Sequence, residues 1–116
     1  MKKILVVDDD DSILFLISEI LSVVEGVEVL TCGDSILAKQ GIEKGGGIDI
    51  LISDINMPQL TGYDLARAAK ANNESAVVIL MSGIYDPDKI KKSKADFFIK
   101  KPFPYKEFLE EIRKFI

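Results

Sequence analysis

A chain of 116 residues with a formal net charge of −4 is long enough for one hydrophobic core and too short for two. Its 47% hydrophobic and 29% charged residues suit an ordinary globular domain, and the excess of acids argues against wrapping nucleic acid by counterion release. No apolar stretch nears the roughly 18–20 residues that cross a bilayer, and the absence of histidine removes serine–histidine–aspartate triads, histidine metal sites and any phosphoryl carrier on imidazole within the chain.

Met1-Lys2-Lys3-Ile4 leads straight into a strand pattern instead of a secretory leader. Residues 3–8 read as a strand whose continuous apolar run fits burial on both faces. Ser12 to Val24 reads as a helix with Ile13, Ile17, Ile20 and Val24 on one stripe, Asp11 or Ser12 as its cap, and Gly26 as its end. Val27 to Cys32 is a second strand, alternating enough to suggest a sheet edge. Cys32 is the single cysteine, so no internal disulfide can form. It reads as a small buried hydrophobe in a protein of the reducing cytoplasm.

Residues 34–44 form a weaker helix capped by Asp34, and Gly45-Gly46-Gly47 precede a strand, which is the wrong side for a phosphate cradle. Ile48 to Asp54 is the third strand, Tyr63 to Ala71 a helix and Ala76 to Ser82 the fourth strand. Asp86 to Lys94 has room for only a short helix, Asp96 to Lys100 is the fifth strand, and an amphipathic helix starts at Pro104. Five strands alternating with helices predict a doubly wound parallel sheet covered on both faces, and a strand order of 2-1-3-4-5 would place the first and third strands side by side at the switch point.

That order gathers an acidic constellation. Asp8 and Asp9 close the first strand, Asp54 closes the third, and Lys101 follows the fifth. Ligands bind beyond the carboxyl ends of strands in such sheets. Carboxylates crowded there repel one another, and a hard divalent cation, above all Mg²⁺, relieves the repulsion and then attracts a phosphate.

The chain resembles the receiver domain of two-component response regulators, especially the single-domain chemotaxis type with its flavodoxin-like fold. The matches are Val6-Val7-Asp8-Asp9-Asp10, Ser53-Asp54-Ile55-Asn56-Met57-Pro58 with Gly62, Met81-Ser82-Gly83, and Lys101-Pro102-Phe103. They follow the family's order and cover almost the whole chain, which implies that residues 1–116 are one receiver domain. The resemblance implies that Asp54 accepts a phosphoryl group from a histidine kinase or phosphotransfer protein. Asp9, Asp54 and the backbone carbonyl of Asn56 would ligate Mg²⁺, with Mn²⁺ as a substitute, and Asp8 would hold it through water. Lys101 would pair with Asp54, Ser82 would bond the phosphoryl group, and Phe98 would turn inward as a switch toward a downstream target or effector domain. Asn56 and Ile84 would flank the path of the hydrolytic water. A cis bond before Pro102 belongs to the same pattern. Such a protein is a signalling phosphoacceptor that assists its own Mg²⁺-dependent phosphorylation and dephosphorylation, not an enzyme acting on other substrates.

Three departures stand out. Thr61 replaces an acid before the glycine, Lys94 replaces a glycine before Ala95, and the stretch between Ser82 and Lys101 is a few residues shorter than is typical of chemotaxis receivers, a shortage that falls on the fourth helix, part of the usual output face. The kinase is expected on the first helix, with Leu14 and Phe15, and on Pro102-Phe103-Pro104. The sequence fits either a stand-alone receiver or a module of a longer regulator.

Asp8-Asp9-Asp10 also spells the Asp-x-Asp of a haloacid-dehalogenase-type phosphatase with Asp8 as nucleophile, yet Ser82-Gly83-Ile84 stands where that family needs late acids. A flavodoxin-like electron carrier would place flavin phosphate against four acids. Both alternatives are therefore weaker.

Overall fold

The computed structural model describes residues 1–116 as five strands alternating with five helices. The strands are β1 (Lys2–Val7), β2 (Val27–Cys32), β3 (Ile50–Asp54), β4 (Val77–Ser82) and β5 (Phe97–Lys100). The helices are α1 (Asp11–Leu21), α2 (Ser35–Glu43), α3 (Gly62–Asn72), α4 (Pro87–Ser93) and α5 (Tyr105–Arg113). All strand pairs are parallel, in the order β2-β1-β3-β4-β5. The predicted order and the edge position of β2 hold.

The apolar runs divide by alternation. Ile4 and Val6 of β1, Ile50 and Ile52 of β3, and Ile79 and Met81 of β4 point into a core shared with α1 and α5. Leu5, Val7, Leu51, Val78 and Leu80 point the other way, into a core shared with α2 and α3. This is why the central strands read as unbroken hydrophobic runs: each successive side chain is buried, on alternate faces.

Helix α1 differs in detail from its predicted form. Asp10, with φ −93° and ψ 108°, is the cap, its carboxylate accepting from the Ser12 N–H at 2.9 Å. That bond from Ser12 holds the Asp10 carboxyl below its ordinary range. The buried stripe is Leu14, Ile17, Ile20 and Leu21, with Ile13 and Val24 half-buried at its margins. The helix stops at Leu21 because the chain must turn to enter β2, and Val24 closes that turn by donating to the Leu21 carbonyl at 3.0 Å. Cys32 is only half-buried, its thiol directed to the Asp34 carbonyl at 3.2 Å.

The changed position before Gly62 is well accommodated. Thr61 caps α3 in a reciprocal box: its hydroxyl accepts from the Asp64 N–H while Asp64 accepts from the Thr61 N–H at 2.9 Å.

Candidate functional site

The sheet register places the acids. Val7 pairs with Ser53, and Asp54 pairs with Met81, so Asp8 and Asp54 emerge side by side where β1 and β3 end. One carboxylate oxygen from each of Asp8, Asp9 and Asp54 lies within 4.8 Å of the others. Asp8 is 1% exposed and Asp54 is 7% exposed, whereas Asp9 is open to solvent. The Lys101–Pro102 peptide bond is cis.

Lys101, just past β5, pairs with Asp54 as the resemblance implies, but it holds Asp8 more closely. Its ammonium donates to Asp8 Oδ2 at 2.7 Å and stands 3.4 Å from Asp54 Oδ1. The reason is burial: Asp8 is the most enclosed of the acids, and an enclosed carboxylate needs a cation most. Asp8 also accepts from the Asp10 N–H at 3.0 Å, which occupies its second oxygen.

Electrostatics follows this geometry. Burial pushes the Asp54 carboxyl above its ordinary range, the Asp8 charge adds to the rise, and Lys101 offsets it only in part. For Lys101, burial alone would lower the pKa, but the hydrogen bond and charge of Asp8, with Asp54 behind, outweigh it and raise the value. Lys101 is therefore charged at neutral pH. Three carboxylates against one ammonium leave two formal negative charges in one crevice. The donor set is all oxygen, with no sulfur or imidazole, which fits Mg²⁺ among the common metals.

Two loops frame the acids. Gly62 is packed so closely under the end of β3 that a Cβ would collide with the Asp54 carbonyl oxygen and the Ile55 Cα. No side chain is tolerated there. Ser35, buried at the start of α2, donates to the Pro58 carbonyl at 2.8 Å and accepts from the Leu60 N–H at 3.1 Å. It thereby anchors the loop that follows Asp54, a role with no signal in the sequence beyond a serine after a capping aspartate.

On the opposite rim, Ser82 accepts from Asn56 Nδ2 at 3.1 Å. Phe98 is half-buried and packs against Tyr85, with ring centroids 5.2 Å apart and a tilt of 47°. Ile84 is 72% exposed. Leu14, expected at a docking surface, is instead a core residue of α1, because its side chain falls on the stripe that faces the sheet. Phe15 points outward and is 68% exposed.

A family model for the response regulator receiver domain matches residues 4–113. The chain belongs to that family. It is 31% identical over 115 residues to the transcriptional regulatory protein CpxR of Escherichia coli, covering 97% of this chain and 48% of CpxR. The chain thus spans about half the length of that curated relative. Among solved structures, the response regulator protein TrrA of Thermotoga maritima, in complex with Mg²⁺–BeF, superposes with a TM-score of 0.83 and is 32% identical, each chain covered in full (100%). A receiver domain protein of Methanospirillum hungatei gives a TM-score of 0.88 at 28% identity, covering 98% of this chain and 92% of its own.

This receiver domain is a two-component signalling module, and the phosphatase alternative finds no support in it. Asp8, which that chemistry would use as nucleophile, is enclosed and held by Lys101.

Proposed function

We propose that residues 1–116 act as one phosphoacceptor domain in which Asp54 takes a phosphoryl group from the phosphohistidine of a kinase or phosphotransfer protein. The observation that carries this reading is the convergence of Asp8, Asp9, Asp54 and Lys101 in one crevice. Burial and the charge of Asp8 raise the Asp54 carboxyl above its ordinary range, and the lysine holds Asp8 more closely than Asp54. In the transfer, an Asp54 Oδ forms a bond to phosphorus while the P–N bond of the donor breaks and its electron pair stays on the imidazole nitrogen. Asp9, Asp54 and the Asn56 carbonyl, with Asp8 behind a water, are the residues to hold Mg²⁺ or Mn²⁺. When bound, the metal offsets charge on the transferring group and orients it.

The protein side chains do the rest. Lys101, already charged, neutralises phosphoryl oxygens as a point charge. Ser82 offers its hydroxyl proton to one of them, and Phe98, packed against Tyr85 at the surface, is the side chain that relays the change to a downstream target. Incubation with acetyl phosphate and Mg²⁺ should raise the intact mass by one phosphoryl group. Asp54→Asn or removal of metal should abolish the increase, and equal labelling of that variant would sink the assignment.

Asn56 and Ile84 are proposed to flank the hydrolytic water. The exposed Ile84 side chain offers that water no hydrogen bond, so Ile84→Glu should speed phosphate release on the order of tenfold, equivalent to about 1.4 kcal/mol of barrier. An unchanged rate under saturating Mg²⁺ would remove Ile84 from this role.

A further inference from the structure

Ser82 stands at the end of β4, 2% exposed, and its hydroxyl is an acceptor twice over. Asn56 Nδ2 donates to Ser82 Oγ at 3.1 Å, and the Ile84 backbone N–H donates to the same oxygen at 3.1 Å. A hydroxyl has two lone pairs and one proton, so both acceptor sites are spent. The Ser82 proton itself reaches no protein acceptor.

The two bonds differ in kind. The one from Ile84 lies within two residues of Ser82 and travels with it. The one from Asn56 crosses 26 residues of sequence and ties the loop after β3 to the loop after β4. With both lone pairs held, the direction of the O–H bond is fixed. A turn of the hydroxyl toward an anion on Asp54 would break one of these two bonds. Ile84 is tethered by the chain, so Asn56 is the donor that can leave. An ionised acceptor forms a hydrogen bond roughly twice as strong as a neutral one, which is enough to displace an amide at an exposed position.

Resting on the reading of Asp54 as phosphoacceptor, we infer that the Asn56 side-chain amide restrains Ser82 in its unphosphorylated arrangement, so that deleting the amide favours the anion-bound state. Asn56 is a positioning residue here: it acts on the anion only through Ser82. Its backbone carbonyl is untouched by side-chain truncation, and because the side chain is exposed, truncation opens no cavity.

The test is a titration with beryllofluoride, a phosphoryl mimic, at saturating Mg²⁺. Wild type, Asn56→Ala, Ser82→Ala and the double variant are compared. Asn56→Ala should tighten beryllofluoride binding about two- to fivefold, the worth of one partly exposed neutral hydrogen bond. In the Ser82→Ala background the same substitution should change nothing, because the restraint has no object. Unchanged or weaker binding in Asn56→Ala, with wild type binding normally, overturns the restraint and leaves Asp54 as acceptor. An equal gain without the Ser82 hydroxyl also overturns it, since the effect would not pass through Ser82. A wild-type protein that takes no beryllofluoride removes the Asp54 reading and the restraint together.

Discussion

Asp54 is destabilising in the state that makes it useful. Its carboxyl is pushed up by burial and by the charge of Asp8, so the folded protein binds that proton more tightly than the unfolded chain does. Such a group contributes stability that is fully present below its unfolded value, near 3.8, and that is lost as pH rises through the raised folded value. Asp54→Asn removes the ionisation. Without metal, the variant should melt a few degrees above wild type at pH 7, the shift that about 1 kcal/mol gives in a domain of this size. The gap should close as pH falls toward the unfolded value. A gap that is constant with pH, or a variant that melts lower at pH 7, would mean that Asp54 is not strained by its neighbours. Lys101 limits the effect in wild type without abolishing it, because its short bond is to Asp8 at 2.7 Å and its distance to Asp54 is 3.4 Å.

At the scale of elements, α4 is the weakest part of the fold. It has seven residues, only Ser93 among them is buried, and its last turn carries Lys91 and Lys92. It ends on Lys94 in the left-handed region, with φ 65° and ψ 21°. A residue with a Cβ is disfavoured there by roughly 1–2 kcal/mol, a cost that glycine escapes. Lys94→Gly should therefore stabilise the domain by about 0.5–1 kcal/mol after allowing for the freer unfolded chain. The check is a higher urea midpoint at unchanged slope, and a lower midpoint would show that the lysine side chain matters more than the backbone. The sequence already marked Lys94 as out of pattern and α4 as short, because a missing glycine and a missing turn are local signals. The strand-end acids were equally legible, since they follow from runs of apolar residues and what terminates them, whereas the strand order belongs to the fold that the resemblance implies. The α1 cap at Asp10 and the burial of Leu14 were not. Four consecutive acids offer several possible caps, and a helix with apolar residues at 13, 14, 16, 17, 20, 21 and 24 allows more than one buried stripe, Ile17 and Ile20 being common to both. The Asn56–Ser82 bond and the Ser35 anchor join loops far apart in sequence, and no local pattern encodes such contacts.

Over the whole molecule, the crevice has one apolar flank. Ile13 and Leu16 of α1 lie beside Lys101, Pro102 and Phe103 in a shallow cleft, and Phe15, between them in sequence, is exposed. A phosphohistidine must approach Asp54 in line, so the protein that carries it must pack close to the rim, and positioning of this kind accounts for much of the rate. Acetyl phosphate has no such requirement, because it diffuses into the crevice alone. The two donors therefore separate docking from chemistry. Phe15→Glu places a charge on the apolar flank without disturbing the core, because Phe15 is 68% exposed. It should slow transfer from the cognate kinase by tenfold or more, the effect of losing about 1.4 kcal/mol of binding, while labelling by acetyl phosphate falls far less. If both donors slow by the same factor, the substitution has disturbed the acidic crevice and the flank is not a docking surface. If neither slows, the kinase approaches from the side of Ile84 and Tyr85, across the end of β4.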